Sequence, residues 1–246
     1  MESIEMHTPE KCAVITNATH KPTLASGNFP MTIRKIVREI IPFVSKRFDN
    51  STQYWVDRYK WGGNSGKGSR GEVAHAKANF INSFCSEKKI TAVVEHGSGD
   101  GLCASLINVE KYIGLDISDM AIDAAKRRCA DTSRYTFLNI LRIPKKDIQN
   151  FVDAKIGNLP RVSISMDVIF HLIEDEVFFE YLEKLQSTTE KYIIVYSSDI
   201  DLYGAAHVKH RHYSKIFMDK YNIKLMYSEN TNNVMHFKVF EKSNET

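Results

Sequence analysis

The chain has 246 residues, with 43% hydrophobic and 26% charged side chains. That make-up suits one large folded domain and excludes a disordered, collagenous or disulfide-scaffold protein. Lys and Arg number 33 against 30 Asp and Glu, so the formal charge of +3 gives no global case for nucleic acid, and any preference for anions must be local.

The four cysteines, Cys12, Cys85, Cys103 and Cys129, are far apart with no CxxC pair. They read as reduced thiols rather than as a zinc site or a disulfide framework. No 18 consecutive residues are apolar, and the first residues, MESIEMHTPEK, lack the apolar core of a signal peptide. The expectation is a cytoplasmic protein without a transmembrane segment.

Residues 1–29 have no clear periodicity and read as a loosely ordered arm. Residues 32–41 place Ile33, Ile36, Val37, Ile40 and Ile41 on one helical face and Arg34, Lys35 and Arg38 opposite; Pro42 ends or kinks that helix. Next, Tyr54, Trp55, Tyr59 and Trp61 run into a glycine-rich stretch from Gly62 to Gly71. The stretch is not a phosphate-binding P-loop, because it lacks GxxxxGK[ST] after a strand. The aromatic density suggests a lid that orders over a ligand and excludes water. Tyr54, Tyr59, Lys67 and Arg70 are its expected contacts, the two cations toward a phosphate. Residues 1–71 are therefore assigned to an N-terminal extension and 72–246 to the main domain.

From Glu72 the pattern alternates. Helices are expected over 72–84, 102–107, 120–129, 147–154, 176–185 and 213–221. Strands are expected over 91–95, 112–116, 135–140, 162–170 and 192–196. Such alternation predicts parallel βαβ units with helices on both faces. Residues 223–227, a polar Glu-Asn-Thr-Asn-Asn turn and residues 234–241 read instead as a closing hairpin. The prediction is an α/β, Rossmann-like, doubly wound sheet of seven strands with an antiparallel last strand.

The strongest local signal is Glu95-His-Gly97-Ser-Gly99-Asp-Gly101, between an expected strand and an expected helix. Glycines let the backbone turn tightly and let a ligand approach main-chain atoms. A nicotinamide fingerprint would need a glycine at the sixth position from Gly97, where Leu102 stands. E-x-G-x-G-x-G instead resembles motif I of the class I S-adenosylmethionine-dependent methyltransferases. The resemblance spans about residues 72–241. It implies that Glu95, Gly97, Gly99 and Gly101 hold the amino-acid end of S-adenosylmethionine. Asp116, ending Tyr-Ile-Gly-Leu-Asp, would take the ribose hydroxyls with Ile117 beside it, and a carboxylate can accept both at once. Asn139 is the nearest match to the side chain that meets the adenine amino group, and Asp167 would border the cofactor from motif IV. His96 beside the first glycine departs from the usual small residue or Cys and has no assigned role.

Ser165-Met-Asp167-Val-Ile-Phe-His171-Leu-Ile-Glu174-Asp175 resembles motif IV, and ligands of open α/β sheets sit beyond the carboxyl ends of the strands. Methyl transfer to an alcohol benefits from a base, and His171 has a suitable intrinsic pKa. Glu174 and Asp175 could orient it or merely begin the next helix, where carboxylates are favoured; Glu174 and Asp167 join His171 as the expected catalytic residues. His207-Val-Lys209-His210-Arg211-His212 follows the fifth strand as an anion-binding patch or a solvated basic helix start. In the first reading His207, His210 and Arg211 hold the acceptor. The spacing does not reproduce the metal-ligand pattern of small-RNA terminal 2′-O-methyltransferases, so no metal is expected.

The combined motifs also look like bacterial methyltransferases associated with surface-polysaccharide gene clusters. The resulting expectation is O-methylation of a small, anionic acceptor such as a sugar or phosphorylated sugar precursor. An RNA terminal 2′-O-methyltransferase and a non-catalytic cofactor-binding module are the alternatives. The acceptor atom, oxygen or nitrogen, and the oligomeric state stay open.

Overall fold

The computed structural model describes residues 48–232 and 234–243. They fall in a compact unit running from Arg47 to Thr246. The arm over 1–29 and the amphipathic helix over 32–41 lie outside the described residues.

Helix α1 (Ser51–Lys60) comes first, capped by the Asn50 side chain, which accepts the Gln53 N–H at 2.8 Å. Helix α2 (Gly71–Lys88) leads into strand β1 (Ala92–His96). There follow α3 (Leu102–Leu106), β2 (Lys111–Asp116), α4 (Asp119–Arg128), β3 (Tyr135–Asn139), α5 (Asp147–Ile156), β4 (Arg161–Met166), α6 (Asp175–Ser187) and β5 (Tyr192–Ser198). A two-stranded ribbon, β6 (Leu202–Tyr203) with β7 (Lys209–His210), precedes α7 (Tyr213–Tyr221) and the hairpin β8 (Ile223–Asn232) and β9 (Met235–Lys242).

The main sheet has the order β3-β2-β1-β4-β5-β9-β8. The first five strands pair in parallel, and β9 runs antiparallel between β5 and β8. This is the expected seven-stranded doubly wound sheet. Its central strands are buried on both faces: β1 carries the apolar run Ala92-Val93-Val94, whereas β4 alternates Val162, Ile164 and Met166 with the buried Ser163 and Ser165. Two apolar layers cover one face of the sheet, packed by α5, α6 and α7; α2, α3 and α4 cover the other.

Most predicted boundaries fall within two or three residues of those observed. Strand β4 stops at Met166 rather than running to 170, because Asp167 takes φ +59°, a left-handed conformation that ends the strand. Residues 229–232, expected as turn, extend β8. Among the described residues Cys85, Cys103 and Cys129 are unpaired, and no helix is long and apolar enough to cross a membrane.

Candidate active site

The strand order reverses between β1 and β4, and the crevice at that point opens into a cavity of about 390 Å³. The glycine loop forms its floor. Gly97 and Ser98 both donate their amides to the Leu115 carbonyl at 2.7 and 3.0 Å, folding the loop over the end of β2. Gly99 has φ +55°, and a Cβ there would lie 2.7 Å from the Tyr59 hydroxyl, so no other residue fits without displacing what covers it. Gly101 begins α3 and packs on Ala125.

Asp116 ends β2 and ties the loop down. Its Oδ2 accepts the Gly99 amide at 2.8 Å, and its Oδ1 accepts the amides of Ile117 and Ser118 at 2.7 and 3.0 Å. Burial raises its pKa against those three bonds. A carboxylate has about four lone-pair directions, so one on Oδ2 is left for an incoming hydroxyl. Glu95 is buried under the loop and accepts the Tyr112 hydroxyl; burial pushes its carboxyl up to about 7, opposed by that bond and by Lys77. Asn139 sits outside the cavity lining. Its amide donates to the Ile117 carbonyl and Asp119, and its oxygen accepts the Leu141 amide, so it braces the β2 and β3 ends. Ile117 and Leu141 do line the cavity.

The segment expected as a lid forms the roof. Tyr59 lies under it, bonded to the Ser65 hydroxyl at 2.6 Å directly above Gly99. Arg70 pairs with Asp100 of the glycine loop, which commits the charge assigned to a phosphate. Lys67 is exposed and does not line the cavity. Lys77 is 3% exposed; it reaches from α2 to the Gly68 carbonyl at 2.6 Å and to the Asp167 carboxylate, and lies 4.4 Å from the Tyr196 ring centre. One ammonium therefore joins roof, β4 end and β5.

Beyond β4, His171 lines the same cavity. Its Nδ1 lies 3.0 Å from the His207 carbonyl oxygen. A carbonyl only accepts, so Nδ1 carries the proton and Nε2 holds the free lone pair. Burial lowers the His171 pKa to about 4, keeping the ring neutral. Trp55 from α1 meets it edge-on at 4.8 Å, and His207 stacks on its other side at 5.7 Å and on Tyr54 at 4.7 Å. The orienting partner is thus a backbone carbonyl and not Glu174. Glu174 instead accepts the Ser51 amide at 2.9 Å while Ser51 Oγ accepts the Ile173 amide at 2.8 Å, docking α1 on the start of α6.

The basic patch also resolves into scaffold. Arg211 donates to the carbonyls of Leu172 and Ile173, pairs with Asp175 at 2.7 Å and covers the Phe178 ring. It is 9% exposed because the β4–α6 connection wraps around it. His210 Nδ1 sits 2.5 Å from Ser198 Oγ on β5. Tyr54, His207, His210 and Arg211 surround the acceptor end without lining the cavity. His96, which had no role, is buried with Nε2 2.8 Å from Thr188 Oγ1, and burial lowers its pKa to about 3.

No family model and no curated protein matches this sequence. Solved structures do. Magnesium protoporphyrin IX methyltransferase from Synechocystis with bound SAM aligns over 88% of this chain and 100% of its own, with a TM-score of 0.52 at 15% identity. The N-methyltransferase NodS from Bradyrhizobium japonicum, in complex with S-adenosyl-L-homocysteine, aligns over 79% and 99%, with a TM-score of 0.57 at 13% identity. The methyltransferase domain of bacterial CtHen1-C aligns over 68% and 97%, with a TM-score of 0.54 at 16% identity. The fold is that of the class I methyltransferases.

Within that methyltransferase fold, Trp55 forms a wall rather than a general lid contact, and Ser65, Lys77 and Tyr181 are among the cavity residues that the sequence pattern does not single out. Tyr181 bridges the His96 carbonyl and Ser165 Oγ at 3.0 and 2.7 Å. Lys77 had a signal. Ala74, Ala78, Ile81 and Cys85 form the buried stripe of α2, and a lysine at 77 falls on that stripe, where an unpaired charge is prohibitive.

Proposed function

We propose that the chain is an S-adenosylmethionine-dependent methyltransferase acting on an oxygen of a small acceptor, with His171 as the base. The observation that carries the reading is the coupling of Asp116 to the Gly99 amide across a loop of left-handed glycines, which leaves bare main chain and one spare carboxylate lone pair facing a cavity. Those groups fit the cofactor: the glycine loop admits its amino-acid end, Asp116 takes a ribose hydroxyl, and Ile117 and Leu141 supply apolar surface for a flat base. When bound, the cofactor supplies an activated methyl on a cationic sulfur.

The remaining chemistry falls to this chain. Tyr59, Ser65 and Arg70 hold the roof on the loop and keep water out. Trp55 and His171 position the acceptor hydroxyl, and His171 Nε2 takes its proton as the oxygen attacks. The bond between Nδ1 and the His207 carbonyl keeps the ring in the tautomer that this step needs.

Calorimetry with S-adenosylhomocysteine tests the cofactor half: saturable binding is expected, and binding of a nicotinamide dinucleotide in its place refutes it. Turnover tests the base: His171→Ala should lose about 10²–10⁴-fold in kcat with cofactor affinity retained. An unchanged kcat removes His171 from the chemistry.

A further inference from the structure

Resting on the methyltransferase reading, we infer that the acceptor is uncharged and presents the flat face of a ring, a sugar or an aryl ring, to the wall formed by Trp55 and His171. The charge arrangement points away from the phosphorylated acceptor that the basic residues in the sequence suggest. Five carboxylates (Glu95, Asp100, Asp116, Asp167 and Glu180) line the cavity against three lysines. Each lysine is already spent: Lys77 on Asp167, and Lys145 and Lys184 on Glu180. Of the cations outside the lining, Lys67 is exposed and three others are paired. Arg70 is held by Asp100, while Lys209 and Arg211 share Asp175. Arg58 donates to the Asn64 carbonyl at 2.7 Å and lies over Trp55 rather than beside it in the cavity.

An anion entering this end would meet a net excess of carboxylate with no uncommitted ammonium or guanidinium among the described lining residues. Freeing Lys77 would leave the Asp167 carboxylate, 14% exposed, unpaired at a cost of several kcal/mol. His171 offers no charge either, because its packing among Trp55, His207 and Phe170 holds the ring neutral in spite of the bond from Nδ1 to the His207 carbonyl. What the wall does offer is apolar ring surface. Trp55 and His171 meet edge-on, Val168, Leu172 and Val177 continue the surface, and the Tyr54–His207 stack backs it. A pyranose face or an aryl ring buries apolar carbon against such a wall while its hydroxyl reaches His171 Nε2.

The two tryptophans supply the test. Trp61 is 60% exposed, so Trp61→Phe leaves the fold intact and Trp55 as the sole indole reporter. The variant, saturated with S-adenosylhomocysteine, is titrated with methyl glucoside, phenol and glucose 1-phosphate while indole emission is followed at low and physiological salt. A saturable, salt-independent change with methyl glucoside or phenol, and none with glucose 1-phosphate, is expected. Methyl glucoside alone identifies a sugar acceptor and phenol alone an aryl one. Saturation by glucose 1-phosphate at equal or lower concentration overturns the inference, as does the failure of both uncharged rings. Calorimetry with S-adenosylhomocysteine on the same preparation separates the outcomes, since its failure defeats the methyltransferase reading itself.

Discussion

Replacing Lys77 by Met keeps most of the unbranched side chain and removes the ammonium. The ammonium is 3% exposed and its partner carboxylate on Asp167 is 14% exposed. Breaking a buried ion pair from one side costs about 3–5 kcal/mol, because the surviving charge stays buried without its partner. Asp167 retains some contact with water, which places the expected loss near the lower figure, and the ammonium–Tyr196 contact and the bond to the Gly68 carbonyl are lost with it. For a domain of this size 1 kcal/mol moves the melting temperature by about 2–4 °C, so Lys77→Met should melt about 6–12 °C below the parent. The double variant Lys77→Met/Asp167→Asn removes the stranded charge and should recover about 1–3 kcal/mol, read as a coupling energy in a double-mutant cycle by denaturant unfolding. A single variant within about 0.5 kcal/mol of the parent, as for an exposed site, would refute the argument. So would strictly additive effects, since the claim is that the two side chains act as a pair.

Three further outcomes follow from the same geometry. Asp116→Ala removes both the ribose acceptor and the tie to the Gly99 amide, and should weaken S-adenosylhomocysteine binding by at least about tenfold, or 1.4 kcal/mol, in calorimetry. Gly99→Ala meets the Tyr59 hydroxyl at 2.7 Å, and Ser65 Oγ more closely still, from a left-handed backbone; thermal melting should report a loss of about 1–3 kcal/mol, Tyr59→Phe and Ser65→Ala together should recover part of it, and no recovery would locate the cost outside these two hydroxyls. Acid should destabilise the fold from below the ordinary histidine pKa of 6.5, because His96 and His171 are held neutral with values of about 3 and 4. The unfolded chain binds more protons in that window, so stability is full above about pH 6.5 and falls as pH drops toward 4. Stability that stays level down to pH 4 in denaturant titrations of the parent, yet falls in a His96→Leu/His171→Leu variant, would reverse the sign of that argument.

Much of this architecture can be read from residue pattern because buried parallel strands carry an unmistakable signature. Val93 and Val94 place apolar side chains on both faces and Val162, Ile164 and Met166 on one, while Ser118 marks the start of α4 and Glu174 to Glu176 that of α6. The glycine loop and Asp116 are equally legible, since backbone conformation restricts which residues stand there. The acceptor end is not. The cluster from His207 to His212 has the composition of an anion site, yet whether a cation is free depends on where carboxylates and carbonyls fall in space. Asp175, 36 residues before Arg211, and the carbonyls of Leu172 and Ile173 decide that, and no local pattern announces them. Asn139 fails as an adenine contact for the same reason: Asp119 and Ile117 claim its amide first. Helix α1 carries no clean apolar stripe because its residues are mostly half-buried, and tertiary contacts through Ser51 and Tyr59 hold it.

Asp167 and Lys77 together link the two ends of the site. Asp167 leaves β4 in a left-handed conformation that costs an aspartate on the order of 1 kcal/mol, and such a backbone persists only where its surroundings over-determine it. Two restraints do so: the Asp167 amide donates to the Tyr196 carbonyl at 2.9 Å, and Lys77 holds the carboxylate. The turn they enforce sends Val168 against Gly97, where any Cβ would strike it, and carries the chain on to His171. Because the same ammonium bonds the Gly68 carbonyl, a roof lifted from the loop would surrender one of the bonds that keep Lys77 in place. Closing the roof over the glycine loop and fixing the strand end that leads to His171 are therefore two consequences of one buried charge.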